Sequence, residues 1–415
     1  MSLVDILPNE IFLIIFDLCD VYTLLQLNRV CQKFYHLSNK TLNQKSNHLL
    51  VTNEVSEKFR ERCKPLLSSY NSKFITYYNW KYELPDMNYY HRDEFVIESL
   101  ENMRSIKIKD MCLIMTENAT WFYVKKKLAA FNRSEDGTLT GGRIIGLCNC
   151  QFSSIAYCND IIISGHVDGS IKHWKIESRN NINNIQQLKA HSNVYGEHVS
   201  NIEATPQHII SSSSNLIKIQ KNSLEDDDFA EENETIYSVK KLIQSISLDP
   251  TGTKVAASAE KSLLIYDITT NCKEMDECIN DNTCSQLLWQ DPHSILMLYK
   301  QQVKKMDIRT PAFVRTWDAS VLDSNYELYS FSSDYLYTII TGTNIGTVLL
   351  WDQRYNDCVQ TYDIDCIYKN PIYSVEFDST HMYAATRNED LNELLFKERY
   401  YCDRAKRKKY FSKFV

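Results

Sequence analysis

One phrase recurs along this chain and limits its folding more than any other feature. SGHVDGSIKHWKI, ending at Ile176, SAEKSLLIYDI, ending at Ile268, and TGTNIGTVLLWDQ, ending at Gln353, share one plan. A β-rich run leads to a polar or glycine turn, then a second β-rich run closes on an aromatic residue. With Trp174, Tyr266 and Trp351 as markers the intervals are 92 and 85 residues, each about twice the ~40–45-residue period of a four-stranded blade. Weaker copies fill the gaps: SSSSNLIKIQK at Ile219, YKQQVKKMDIR at Met306, TENATWFYVKK at Tyr123 and ATRNEDLNELLFK at Leu395. Seven markers result, spaced by 40 to 51 residues. Asn118, Gly169, Ser214, Gly346 and Asp390 supply turns ahead of the closing runs, and LDPTG at 248–252 is a turn by its own chemistry. A β-sandwich would not repeat one marker seven times. The spacing therefore predicts an all-β, seven-bladed β-propeller, whose radial repetition leaves few exposed edges. DEFVIESLE at 93–101 is β-rich and has no repeat of its own. It is expected to pair with the last blade and cover two open edges.

The N-terminus follows a different period. ILPNEIFLIIF places six apolar residues in a row from Ile11 to Phe16, far short of the ~20 that span a bilayer. Asp5 precedes the run, no Lys or Arg does, and Asp17 and Asp20 follow, so it does not read as a signal peptide. Pro8 suits a helix start and Glu10 the positive end of the dipole. At helical spacing Ile11, Ile14, Ile15 and Leu18 share one face, while Phe12, Phe16 and Cys19 line a second. Such a helix needs cover on two sides. A second helical stretch starts at Asp20, a good N-cap, with Leu24, Leu27, Cys31 and Phe34 stepping by three and four. The remaining apolar face either docks on the rest of the chain or awaits a partner's helices.

The order of residues here also resembles a known family. Leu7-Pro8-x-Glu10-Ile11, Ile15-Phe16, Leu24-Leu25-x-Leu27 and Val30-Cys31-x-x-Phe34-x-x-Leu37 resemble the F-box. The resemblance implies an all-α domain that binds a Skp-type adaptor and, through it, a cullin–RING (SCF) ubiquitin ligase. The adaptor-binding residues it implies are Leu7, Pro8, Ile11, Ile14, Ile15, Leu18, Leu24, Leu25, Leu27, Val30, Cys31 and Phe34, some of which must instead build the domain's own core. The repeats in turn resemble WD repeats: Tyr266-Asp267, Met306-Asp307 and Trp351-Asp352 keep the Asp of the closing pair. Trp174-Lys175, Ile219-Gln220, Tyr123-Val124 and Leu395-Phe396 lose it, and Asp168 is the one well-placed member of the family's His–Asp–Ser–Trp network. Together the two halves resemble F-box/WD-repeat substrate receptors, and YYNWKYELP around Trp80 resembles the connector of that class and its dactylin-like subgroup.

The domains expected are an F-box at 1–45, a helical connector at 46–85, the propeller at 86–400 and a basic tail at 401–415. The stretch from Thr41 to about Trp80 reads as helical, with SEKFRERCKPLL broken or ended before Pro65. The resemblance implies a non-catalytic receptor that brings a target protein to ubiquitination and proteasomal degradation. Its propeller would hold the target, and a phosphorylated segment read by arginines such as Arg133, Arg143, Arg315 or Arg354 is one option. The other reading is a WD-repeat scaffold that assembles a complex without ubiquitin transfer. The sequence has no nucleophile elbow, phosphate loop or zinc-protease motif. Cys148-Asn149-Cys150 and the series Cys272, Cys278, Cys284 lack zinc-site spacing, so no cofactor or metal is expected. Thirteen scattered cysteines suit a reducing cytoplasm or nucleus, and the net charge of −7 does not suggest nucleic acid as partner. With no stretch near the ~20 apolar residues that span a bilayer, no membrane partner is expected. LEDDDFAEENE at 224–234 should be a solvated loop. The tail from Arg404 carries six basic residues and no acid.

Overall fold

The computed structural model describes residues 7–64, 67, 69–82, 85–90, 111–176, 185–191, 196–222, 235–279, 283–364, 369–386 and 391–396. Among the described residues five α-helices come first: α1 (Asn9–Leu18), α2 (Val21–Leu27), α3 (Gln32–Ser46), α4 (Glu57–Arg60) and α5 (Tyr70–Tyr82). Seven antiparallel sheets of four strands follow, each one blade of a ring. The middle strands of a blade are covered on both faces, which is why they read as continuous apolar runs rather than alternating ones. Ile161–His166, Thr338–Thr343 and Thr347–Asp352 are buried at every residue. By contrast the outermost strand Cys272–Cys278 is exposed almost throughout and correspondingly polar.

Cohesion lies between blades. Ala256, Leu263 and Ile265 of blade 4 pack with Trp289, Ile295 and Met297 of blade 5, and every other pair of neighbours shares a comparable cluster. Blade 1 meets blade 7 through Leu113 and Phe131 against Tyr383 and Leu391, so the ring is closed. Closure is completed by the strand Asp86–Tyr90, which pairs antiparallel with Leu391–Leu395, Asp86 opposite Leu395 and Tyr90 opposite Leu391. The strand expected at 93–101 lies outside the described residues. The closing role falls to a segment earlier in the chain, directly after the helices.

One marker also moves. Tyr123 sits on the second strand of blade 1, Ala119–Val124, whereas the other six markers sit on third strands. The third strand is Lys127–Arg133, and Phe131 takes the marker's place, 43 residues before Trp174. The Asp249-to-Gly252 turn needs its glycine, which has φ +71° and would bring a Cβ within 2.8 Å of Thr205.

The connector packs into the propeller's core, and among its described residues α4 and α5 are helical. Val51, Phe59, Cys63 and Trp80 are buried in one cluster with Ile340, Tyr362, Ile372 and Phe377 of blades 6 and 7. Trp80 stacks on Phe396 at 3.7 Å, lies edge-on to Tyr362 and Phe377, and donates its Nε1–H to Ser379 O at 3.0 Å. Val51, held at φ +58°, donates its N–H to Thr338 Oγ1. That is a costly conformation for a β-branched residue, and the packing around it holds it there. Arg62 pairs with Glu376 at 2.8 Å and donates to Tyr335 OH.

Candidate functional site

The N-terminal helices form a small core whose leftover surface is apolar. The Asp20 carboxylate accepts the Thr23 N–H at 2.6 Å and starts α2, as its sequence position implied. Phe34 packs edge-to-face on Phe12 and on Phe16, both at 5.2 Å, in a core with Leu24, Leu37 and Leu42. Lys45 Nζ donates to Asp17 O and ties α3 to the end of α1. Tyr70 and Phe74 of α5 cover the other side of this core, and Tyr70 OH donates to Asn39 Oδ1. The helices are thereby fixed to the connector, and the connector to the propeller.

This packing divides the twelve residues implied by the F-box resemblance. Ile11, Ile14, Ile15 and Leu18 stand exposed along α1, Ile14 at 62% and Leu18 at 84%. Val30, Cys31 and Pro8 are exposed as well. Leu7, Leu25, Leu27 and Phe34 are half-buried against the core. Leu24 is wholly buried, so it supports the face from behind and has no surface to offer. Tyr22 and Tyr35, which the sequence did not single out, are exposed on the same helices.

The arginines considered as target readers are largely committed elsewhere. Arg133 is buried, paired with Asp378, and donates to the carbonyls of Arg62 and Thr116. Burial pushes the Asp378 carboxyl up, but Arg133 and His381 beside it hold it down at about 2. Arg354 binds Asp352, donates to His48 O and lies over the Tyr337 ring. Arg315 is half-buried and reaches Asn356. The Arg143 side chain, the run 224–234 and the basic tail lie outside the described residues.

In blade 2 the Trp174 Nε1–H donates to Ser164 Oγ at 2.8 Å, and Ser164 in turn meets His166 Nε2 at 3.0 Å. Asp168 does not join this chain but accepts from Ser170 N–H and Oγ–H in the turn. Blade 6 repeats the first link through Trp351 and Thr341. Burial pushes the Cys63 thiol up to about 12 and Cys358 up to about 11, which suits packing rather than nucleophilic attack. No group of three His, Cys, Asp or Glu able to hold a metal occurs among the described residues.

A family model described as F-box-like matches residues 4–44. The chain is similar to a solved structure described as "Crystal Structure of Mitotic Checkpoint Complex", at 11% identity and a TM-score of 0.54, covering 68% of this chain and 87% of that one. It is also similar to the WD40 β-propeller domain of Doa1, at 12% identity and a TM-score of 0.54, covering 69% and 92% respectively. No curated protein sequence matches. At these identities the solved structures establish the fold alone. The chain carries an F-box-like domain followed by a seven-bladed propeller of the WD40 fold. That combination supports an F-box/WD-repeat protein, while the narrower dactylin-like grouping finds no support.

Proposed function

We propose that this protein is the substrate-recognition subunit of an SCF-type cullin–RING ubiquitin ligase. Its α1 face binds a Skp-type adaptor and its propeller binds the target. The observation that carries this reading is the row Ile11, Ile14, Ile15 and Leu18, solvent-facing in front of the wholly separate core of Phe12, Phe16 and Leu24. A protein gains nothing by exposing four large aliphatics in a row unless something covers them. Full burial of such a side chain contributes about 1.5–3 kcal/mol, enough for Ile14 or Leu18 to be a hot spot. The chain itself then does no chemistry: it holds a target lysine near a ubiquitin thioester carried by other subunits and so raises the effective concentration. A cytoplasmic or nuclear location is part of the proposal.

The test is capture of adaptor and cullin by the full chain and by an Ile14→Asp/Leu18→Asp variant. Recovery of both partners by the native chain, lost in the variant with the circular dichroism unchanged, supports the reading. Adaptor without cullin favours the scaffold. Equal capture by both chains refutes the assignment of this face.

A further inference from the structure

The connector side of the propeller, where the turns between first and second strands converge, opens into a cavity of about 860 Å³. Its wall includes Ile114 and Trp121, and its rim carries Glu57, Glu61, Glu117 and Asp160 against Lys58 and Arg62. Arg62 is already paired with Glu376. Glu57, Glu61 and Glu117 are exposed, and no ion pair holds them among the described residues. Trp121 is 1% exposed, and its Nε1–H has no acceptor. An unanswered buried donor costs free energy, and the backbone carbonyls of an inserted chain are acceptors. The site is concave, partly apolar and acidic at the rim, which are the properties that receive a cationic peptide.

The chain itself provides one. The third strand of blade 7 runs toward this same side: Phe396 donates its N–H to Thr380 O in the blade-7 turn, and its ring stacks on Trp80. Eight residues further on begins RAKRKK, from Arg404 to Lys409, five cations with no acid among them. Eight extended residues reach up to about 27 Å. Blade 1, whose Glu117 forms part of the rim, is blade 7's immediate neighbour. We infer that the basic segment 404–409 of this chain docks in the acidic cavity at the connector side of its own propeller.

The test uses the full chain. A carbodiimide joins touching lysines and carboxylates through an amide with loss of water, and the products are mapped by mass spectrometry. Links from Lys406, Lys408 or Lys409 to Glu57, Glu61 or Glu117 within one molecule are expected, and they should fade as salt rises. Links only to the acidic run 224–234 overturn the inference, as do links only between two copies in mixed isotope-labelled protein. In a second measurement a fluorescent peptide RAKRKKYFSKF is titrated against a full chain whose five tail cations are changed to Gln. Binding at least ten-fold tighter than to the native chain is expected, and loss of that gain when Glu57→Gln, Glu61→Gln and Glu117→Gln are added. Equal binding to all three chains overturns the inference.

Discussion

Replacing Trp80 with Ala tests whether the connector belongs to the propeller's core. The indole is wholly buried, stacks on Phe396, touches Tyr362 and Phe377 edge-on, and donates to Ser379 O. Truncating a buried Trp removes this contact area and leaves a cavity, at a cost of about 3–5 kcal/mol. Deleting the donor also leaves the Ser379 carbonyl short of one partner. Since 1.36 kcal/mol is a factor of ten, amide protection around the site should fall by roughly two to three and a half orders of magnitude. The assay is hydrogen exchange by mass spectrometry on the full chain, following α5, the blade-7 turn at 376–381 and, as a remote reference, the blade-4 strand Lys254–Ala259. Tyr82→Ala, at an exposed position of the same helix, is the control and should change stability by no more than about 0.5 kcal/mol. If Trp80→Ala loosens α5 while the blade-7 turn keeps native protection, the connector is only resting on the propeller and the argument fails.

Four further outcomes follow from the same packing. A fragment beginning at Asp86 exposes the faces of Phe377, Tyr362 and Ile372 that Val51, Phe59 and Trp80 cover; it should aggregate or melt well below the full chain in a thermal scan. Leu24→Ala should unfold the N-terminal helices at a cost of about 2–5 kcal/mol, seen as lost amide protection over α1 to α3, whereas Leu18→Ala should leave that protection unchanged. Asp378→Asn leaves Arg133 buried without its counter-charge and should cost about 3–5 kcal/mol. Because the folded carboxyl sits at about 2, below its ordinary 3.8, the stability it lends is present above pH 4 and lost as pH falls toward 2. Burial first, then Lys172, push His166 down to about 4. The unfolded chain therefore takes up the proton first, and stability should decline between pH 6.5 and 4; a His166→Gln variant, followed by urea titration, should lose that slope.

The repeat was legible because each blade solves the same burial problem with the same two inner strands, and that leaves a periodic mark. Blade 1 misled by one strand: ATWFYV carries three aromatics on its second strand, more conspicuous than Phe131 on the third. The closing strand at 86–90 precedes the β-rich stretch at 93–101 and is less conspicuous, because DMNYY is only five residues long and its alternation is limited to Met87 and Tyr89. Spacing put Ile11, Ile14, Ile15 and Leu18 on one face of α1, but it could not show that Leu24 turns inward, since α2 and α3 had to be placed first. The connector was the least legible part. Val51, Phe59 and Trp80 are scattered apolar residues in a polar stretch, and their partners lie some 280 residues and more downstream. No local pattern records a contact of that range, and the same holds for Arg133, whose counter-ion is Asp378.

That separation also sets an order of events when the chain is made. The strand Asp86–Tyr90 and the residues around Trp80 leave the ribosome early, but Leu391–Leu395 and Phe396 come about 305 residues after the strand. At about 5–20 residues per second, synthesis keeps the two apart for roughly 15–60 seconds. The helices at the N-terminus can pack on each other meanwhile, because their core is local. The connector's aromatic side chains cannot, and they wait uncovered until the final blade arrives. A nascent chain of this design passes through a long interval with a finished helical core at its N-terminus and an unfinished ring, during which holding chaperones have both reason and time to bind. Truncated products that stop short of residue 391 never leave that state, because the strand at 86–90 and the connector's aromatic side chains have nothing to close against.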